Sequence, residues 1–262
     1  MSTDLRIKLP PPSYKVERIE QGRSRFYRAT KDDGEFIDGP GVTTFLGSIA
    51  KPALVTWAAN QAAENIGLAL RSKLDGLLFK EVRIDETWID EIVTEGKKKP
   101  AKIKNEAADL GTLAHEYFDA FIRGEQPKEV IQEIAPAIDA FNQWVEKSDI
   151  HPVVGDTKVF SLQYQYGGAL DGLAIDDYGN FILLDWKTSS GIWTEYAFQV
   201  AAYCQAFRET YGITPQKAVI VRFSKKAPVE FEVKEVANLE DAFSGFLAAK
   251  KLYEMLKKKL YI

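Results

Sequence analysis

Cysteine is almost missing from this chain: Cys204 stands alone among 262 residues. An intramolecular disulfide is therefore impossible, and a four-thiolate zinc or iron–sulfur centre is excluded. Histidine is nearly as scarce, with only His115 and His151, too few for a zinc site built mainly of imidazole. Any metal must then be a hard, oxygen-liganded ion such as Mg²⁺ or Mn²⁺. No apolar run approaches the roughly 20 residues that span a bilayer. The stretch Met1-Ser2-Thr3-Asp4-Leu5-Arg6 has no signal-type hydrophobic region, so the expectation is a cytoplasmic protein without membrane contact. A phosphate-cradling Gly-x-x-x-x-Gly-Lys-Ser/Thr loop is also missing, which removes the usual nucleotide-driven motors. A net charge of −4 gives no overall pull on nucleic acid. Positive charge is local: Lys97-Lys98-Lys99 with Lys102 and Lys104, Lys225-Lys226, and Lys257-Lys258-Lys259.

What is present begins with a hydrophobic fraction of 45%, enough for an ordinary globular core. Residues 1–24, with Pro10-Pro11-Pro12, read as an extended arm. Arg25 to Ile37 alternates around Asp32-Asp33-Gly34 as a small hairpin. Helical patterning runs from Thr43-Thr44 through Trp57 to Leu70, and again from Thr87 to Thr94. A basic linker is expected to break it at Gly96–Pro100. Helices are expected from Lys102 to Arg123, with Gly124 as the stop, and from Glu129 to Glu146, with Pro136 as a kink or break.

The character then changes. Thr157–Gln165, Gly168–Ile175 and Phe181–Lys187 read as three consecutive strands, with turns at Tyr166-Gly167 and Asp176–Asn180. Glu195–Glu209 reads as a helix, Lys217–Phe223 and Val229–Val233 as strands, and Leu239–Leu260 as a final amphipathic helix. This order predicts one α/β core, residues 105–262, preceded by an arm, a small hairpin and a helical elaboration over residues 1–104.

Asp185-Trp186-Lys187 carries the chemistry. Phe181-Ile182-Leu183-Leu184 is apolar at every position, the pattern of a strand covered on both faces. An acid and a lysine two residues apart then point to the same side of a buried strand. Buried charge is costly without a partner, a metal or a reaction. Asp171 closes the preceding strand, Gly168-Ala169-Leu170-Asp171, and a hairpin would bring it beside Asp185. Two carboxylates and a lysine suit a divalent cation and a phosphoryl group: the acids Asp171 and Asp185 hold the ion, and Lys187 orients water or stabilises the transition state. The Trp186 carbonyl adds a hard oxygen. Gln199 and Tyr203 share one helical face, turned away from the stripe Ala197, Val200, Ala201, Cys204 and Phe207. His115 lies on a helix, where a lone histidine is more often a surface or satisfied core residue than a ligand; as an imidazole it could complete a carboxylate-lined site. Neither Ser189-Ser190 nor Cys204 has the base that nucleophilic catalysis requires.

Five short motifs now stand in order: Gly111 to His115 on a helix, Asp156 on a strand, Gly168-Ala169-Leu170-Asp171, Asp185-Trp186-Lys187, and Gln199-Val200-Ala201-Ala202-Tyr203. Together they resemble the PD-(D/E)XK nuclease superfamily in its RecB-like exonuclease branch, over residues 105–235. Pro40-Gly41-Val42-Thr43-Thr44-Phe45-Leu46 and the following Lys51 to Ala59 resemble phage exonucleases and the mitochondrial genome maintenance exonuclease. The resemblance implies a restriction-endonuclease-like core with a mixed central sheet flanked by helices. It further implies metal at His115, Asp171, Asp185 and the Trp186 carbonyl, catalysis by Asp171, Asp185 and Lys187, and support from Gln199 and Tyr203. The implied cofactor is Mg²⁺ or Mn²⁺, without the cysteine-bound iron–sulfur cluster of many relatives. Asp156 departs from the family's usual Glu by one methylene. The function expected is metal-dependent DNA exonuclease action in recombination, repair or phage DNA processing. Its substrate would be a single strand or DNA end, and a phage single-strand annealing protein its partner. An endonuclease on the same fold and a non-catalytic DNA-binding protein are the rival readings. The N-terminal helices are expected to form an arch or channel wall, with Trp193 and Tyr196 available to stack on bases.

Overall fold

The structure, a computed structural model, describes residues 8–21, 24–75, 86–127 and 130–258. Its contacts divide the chain into two compact units, one of Met1–Ile49 with Thr112–Ile262 and one of Ala50–Gly111. The sequence places a single boundary at 104/105. The N-terminal segment packs on the core: Tyr14, Tyr27 and Ala29 bury themselves around Phe160, and the Tyr14 hydroxyl donates to the Phe160 carbonyl at 2.6 Å.

In the larger unit, β1(Lys15–Gln21), β2(Ser24–Thr30) and β3(Phe36–Pro40) form a small antiparallel sheet in that order. The expected extended arm thus contains a paired strand, and the expected hairpin around Asp33 is β2–β3. The main sheet has five strands: β4(Ile150–Ser161), β5(Tyr166–Asp176), β6(Phe181–Lys187), β7(Lys217–Phe223) and β8(Phe231–Glu235), adjacent in that order. All neighbours are antiparallel except β6 and β7, which are parallel. A parallel pair needs a crossover, and α5(Thr194–Tyr211) supplies it. The strand β4 begins at Ile150, earlier than the expected start at Thr157, and accommodates Pro152 through a register shift at Pro152/Val154. Tyr166-Gly167, expected as a turn, lies within β5; the turn falls earlier, with Gln165 at φ 53°.

Both faces of β6 are covered, as its apolar run requires. On one side Leu183 packs with Val200 and Phe207 of α5 and with Phe246 of α6(Leu239–Leu256). On the other, Trp186 meets Phe118 from α3(Glu86–Arg123), and Phe141 and Trp144 from α4(Ala135–Lys147). Phe118 and Phe141 stack with centroids 4.4 Å apart. Pro136 lies in the first turn of α4, where a missing N–H costs nothing, so the expected kink is a helix start. Residues 128–129, at the expected beginning of that helix, lie outside the described residues, as do 259–262, where the last helix was expected to end at Leu260. Asn238 caps α6 by accepting from the Glu240 and Asp241 amides, and Gly212 ends α5 in the left-handed conformation at φ 69°.

The helix expected to run from Thr43 to Leu70 is two helices, α1(Val42–Leu46) and α2(Pro52–Asp75). Pro52 opens the second, consistent with proline's place in a first turn. In the smaller unit, Gly96 and Pro100 do not interrupt α3. A Cβ at position 96 would overlap the Ile66 side chain of α2, so this glycine serves a close helix–helix approach and not a break. Among the described residues no helix is long and apolar enough to cross a membrane.

Candidate active site

β5 and β6 pair from Ile175↔Phe181 to Gly172↔Leu184, and there their ladder stops. One step further, the Trp186 amide donates to Asp171 Oδ2 at 2.8 Å. The Asp171 carboxylate thus takes the place of a strand carbonyl and is fixed beside the end of β6. Meanwhile β6 remains in register with β7 through Lys187↔Arg222, so Asp185 and Lys187 sit on a rigid central strand. They form an ion pair, with the Asp185 side chain 1% and the Lys187 side chain 14% exposed. His115 arrives from α3, its Nδ1 3.3 Å from Asp171 Oδ1. The structure therefore gathers Asp171, Asp185, Lys187 and His115 in one place.

Their charges are unequal in a useful way. Burial pushes the Asp185 carboxyl up to about 6 even though the Lys187 ammonium pulls it down, and the Asp171 charge adds to the rise. Burial also disfavours charge on Asp171, but His115, Lys187 and the Trp186 amide more than offset it, leaving that carboxyl below its ordinary value. Burial likewise opposes charge on Lys187, and the two aspartates outweigh it and raise the ammonium's pKa. Both Asp185 oxygens are buried and accept no aligned hydrogen bond, although Oδ2 is in the ion-pair contact with Lys187.

Helix α5 brings the supporting groups. Gln199 Nε2 donates to the Tyr203 hydroxyl at 3.1 Å. Tyr203 is buried within the same core as Val200 and Phe207, not turned away from that stripe as the helical wheel suggests. The reason lies on β5: a Cβ at Gly168 would overlap the Tyr203 ring. The Gly-x-x-Asp and Gln-x-x-x-Tyr motifs are thus two halves of one contact, glycine leaving the space that the tyrosine fills. Burial raises the Tyr203 phenol above its ordinary value, and Asp185 and Asp171 raise it further, so it stays protonated. Gly167 makes similar room for Tyr27.

The other expected positions fall as follows. The Trp186 indole is buried in the aromatic layer with no hydrogen-bond partner for Nε1. Asp156 lies within β4, exposed, with Lys158 Nζ 3.5 Å away. Trp193 is about half exposed at 51%, whereas Tyr196 lies against the Lys187 ammonium, 4.7 Å from ring centroid to Nζ. That contact is absent from the sequence expectations. Its signal was in the chain: Tyr196 precedes Gln199 by three and Tyr203 by seven, so all three share a helix face. Burial pushes the Cys204 thiol up to about 12, which keeps it an inert thiol.

Among the described residues, no group of three or more His, Cys, Asp and Glu is gathered tightly enough to hold a metal ion. The donors nevertheless fit a hard divalent cation. The unpartnered, buried Oδ1 of Asp185 is a group that such an ion satisfies, and Asp171 is held ionised beside it. Mg²⁺ usually takes one or two carboxylates and completes its shell with water and substrate phosphate, without an all-protein cage.

By sequence, no family model and no curated protein matches the chain. By structure, it is similar to a candidate exonuclease from Eubacterium rectale, with 12% identity over 57% of this chain and 69% of that one, at a TM-score of 0.38. It is also similar to an alkaline exonuclease from Laribacter hongkongensis, with 17% identity over 58% of this chain and 88% of that one, at a TM-score of 0.27. The five-stranded mixed sheet, with the Asp-x-Lys strand β6 at its centre and helices packed against it, is compatible with the restriction-endonuclease-like core expected from the sequence.

Proposed function

We propose that this protein is a Mg²⁺- or Mn²⁺-dependent DNA exonuclease. The observation that carries the reading is the buried Asp185 carboxylate, whose Oδ1 has no partner and whose Oδ2 meets the Lys187 ammonium, with Asp171 on the adjoining strand. A purely structural ion pair has no use for a buried acceptor oxygen left without a donor, since it costs stability. Perturbed, buried acids beside a charged partner are a pattern of functional sites.

Asp171, Asp185 and the Trp186 carbonyl would hold the cation, with His115 as a further ligand. The ion would lower the pKa of a coordinated water and neutralise charge at the scissile phosphate. Lys187, charged and nearly buried, would orient the attacking water and stabilise the charge growing on the phosphoryl oxygens. Hydrolysis forms one bond from the water oxygen to phosphorus and breaks one phosphorus–oxygen ester bond of the DNA backbone. Tyr203 accepts from Gln199 and keeps its own proton free for a neighbouring acceptor. Action on a strand end, in recombination, repair or phage DNA processing and alongside a single-strand annealing protein, is the setting we infer from the resemblance.

The test is incubation of the purified protein with end-labelled linear DNA, single- and double-stranded, and with closed circles, in Mg²⁺, Mn²⁺ or EDTA. Metal-dependent loss of linear strands with circles spared is expected. Cut circles would assign an endonuclease, and binding without cleavage of any substrate would assign a non-catalytic role.

A further inference from the structure

Tyr196 has two features that its expected role in base stacking does not explain. Its ring faces the Lys187 ammonium, 4.7 Å from Nζ to the centroid, and it is half-buried against the main core instead of standing free. Lys187 is therefore held from two sides. The Asp185 carboxylate meets Nζ from the strand, and the negative face of an aromatic ring meets it from α5. A lysine has a flexible four-carbon stem with three rotatable donors. An ion pair alone fixes the distance to one carboxylate and leaves the head group free to swing about it. A second, apolar-backed contact removes that freedom and costs no donor, because a π face uses no acceptor atom with its own hydration to lose. The helix geometry makes the arrangement firm: Tyr196, Gln199 and Tyr203 lie on one face of α5, and Tyr203 is locked by the space at Gly168, so the first turn of the helix is set by its third.

We infer that Tyr196 is a positioning residue, holding the Lys187 ammonium at the reaction centre through its ring face and not through its hydroxyl. This rests on Lys187 acting in the proposed hydrolysis, and the experiment separates the two claims. Three variants of the full chain are compared with wild type: Tyr196→Phe, which keeps the ring; Tyr196→Leu, which keeps apolar volume without a π face; and Lys187→Ala. Two measurements are made on each, steady-state cleavage of linear DNA and the NMR shift of the Lys187 ε-methylene, which an overlying ring displaces upfield. Tyr196→Phe is expected to retain both the shift and the turnover. Tyr196→Leu is expected to lose the upfield displacement and about 3- to 30-fold in kcat with KM unchanged, the fold-change of an aromatic–cation contact worth about 0.5–2 kcal/mol. Wild-type kcat in Tyr196→Leu, or an equal loss in Tyr196→Phe, would overturn the inference. Undiminished cleavage by Lys187→Ala would instead overturn the role of Lys187, leaving the ring contact to be judged by the methylene shift alone.

Discussion

Lys187 bears the sharpest test at the scale of single residues. Lys187→Ala is expected to retain DNA binding and lose about 10²–10³-fold in kcat, as when a preorganised electrostatic group is removed. A gel-shift alongside a cleavage assay checks both halves. Gly168 gives an independent test of the motif pairing. Gly168→Ala inserts a methyl where the Tyr203 ring lies, so overpacking of about 1–3 kcal/mol is expected, read as a lower urea midpoint together with lower turnover. Tyr203→Leu in the same background should recover part of the stability, because the overlap goes with the ring. Asp171, Asp185 and Lys187 were legible in the sequence because charge inside an apolar run is conspicuous. The helix face that Tyr196 shares with Gln199 and Tyr203 was legible too, but its contact with Lys187 depends on how β6 turns into α5, which spacing alone does not encode.

Among elements, β6 and β7 read from sequence with the ends they have in the structure, since their apolar runs are bounded by turn residues. β1 did not, because Lys15–Gln21 is mostly charged and becomes a strand through its ladder to β2. α3 runs through Gly96 and Pro100, which local pattern marks as a break, and at Gly96 the close approach of the Ile66 side chain accounts for the glycine. The β5–β6 turn offers a test with a definite sign. Asp176 accepts from the Asn180 side chain at 2.9 Å and from the Tyr178 and Asn180 amides at 3.0 and 2.9 Å. These bonds, led by the Asn180 side chain, hold its carboxyl below the ordinary range. A lowered folded pKa contributes stability above the unfolded value of about 3.9, lost as the pH falls through the folded value. Asp176→Ala should therefore have a lower urea midpoint than wild type at pH 7, and the gap should narrow towards pH 3. A gap that persists unchanged in acid would assign the effect to packing.

For the whole molecule, the aromatic layer beneath β6 is the support on which the site depends. Phe118, Phe141, Trp144, Trp186 and Phe223 pack mutually, and α3 contributes both Phe118 to this layer and His115 to the site. Phe118→Ala is expected to cost about 3–5 kcal/mol, measured by denaturant unfolding. The α/β class and the central sheet followed from the order of strands and helices. Burial of Tyr14 and Tyr27 around Phe160 joins residues far apart in the chain, a long-range packing event that sequence periodicity does not report.

The central claim is that the acids and lysine at the end of β5 and β6 hydrolyse DNA with a divalent ion. The measurement that tests it most directly is cleavage of end-labelled linear DNA by wild type, Asp185→Asn and Lys187→Ala, each with Mg²⁺ and with EDTA. Full cleavage is expected only from wild type with Mg²⁺, with Lys187→Ala slowed about 10²–10³-fold and the near-isosteric Asp185→Asn folded and inactive. Undiminished cleavage by Asp185→Asn, or by wild type in EDTA, would contradict it.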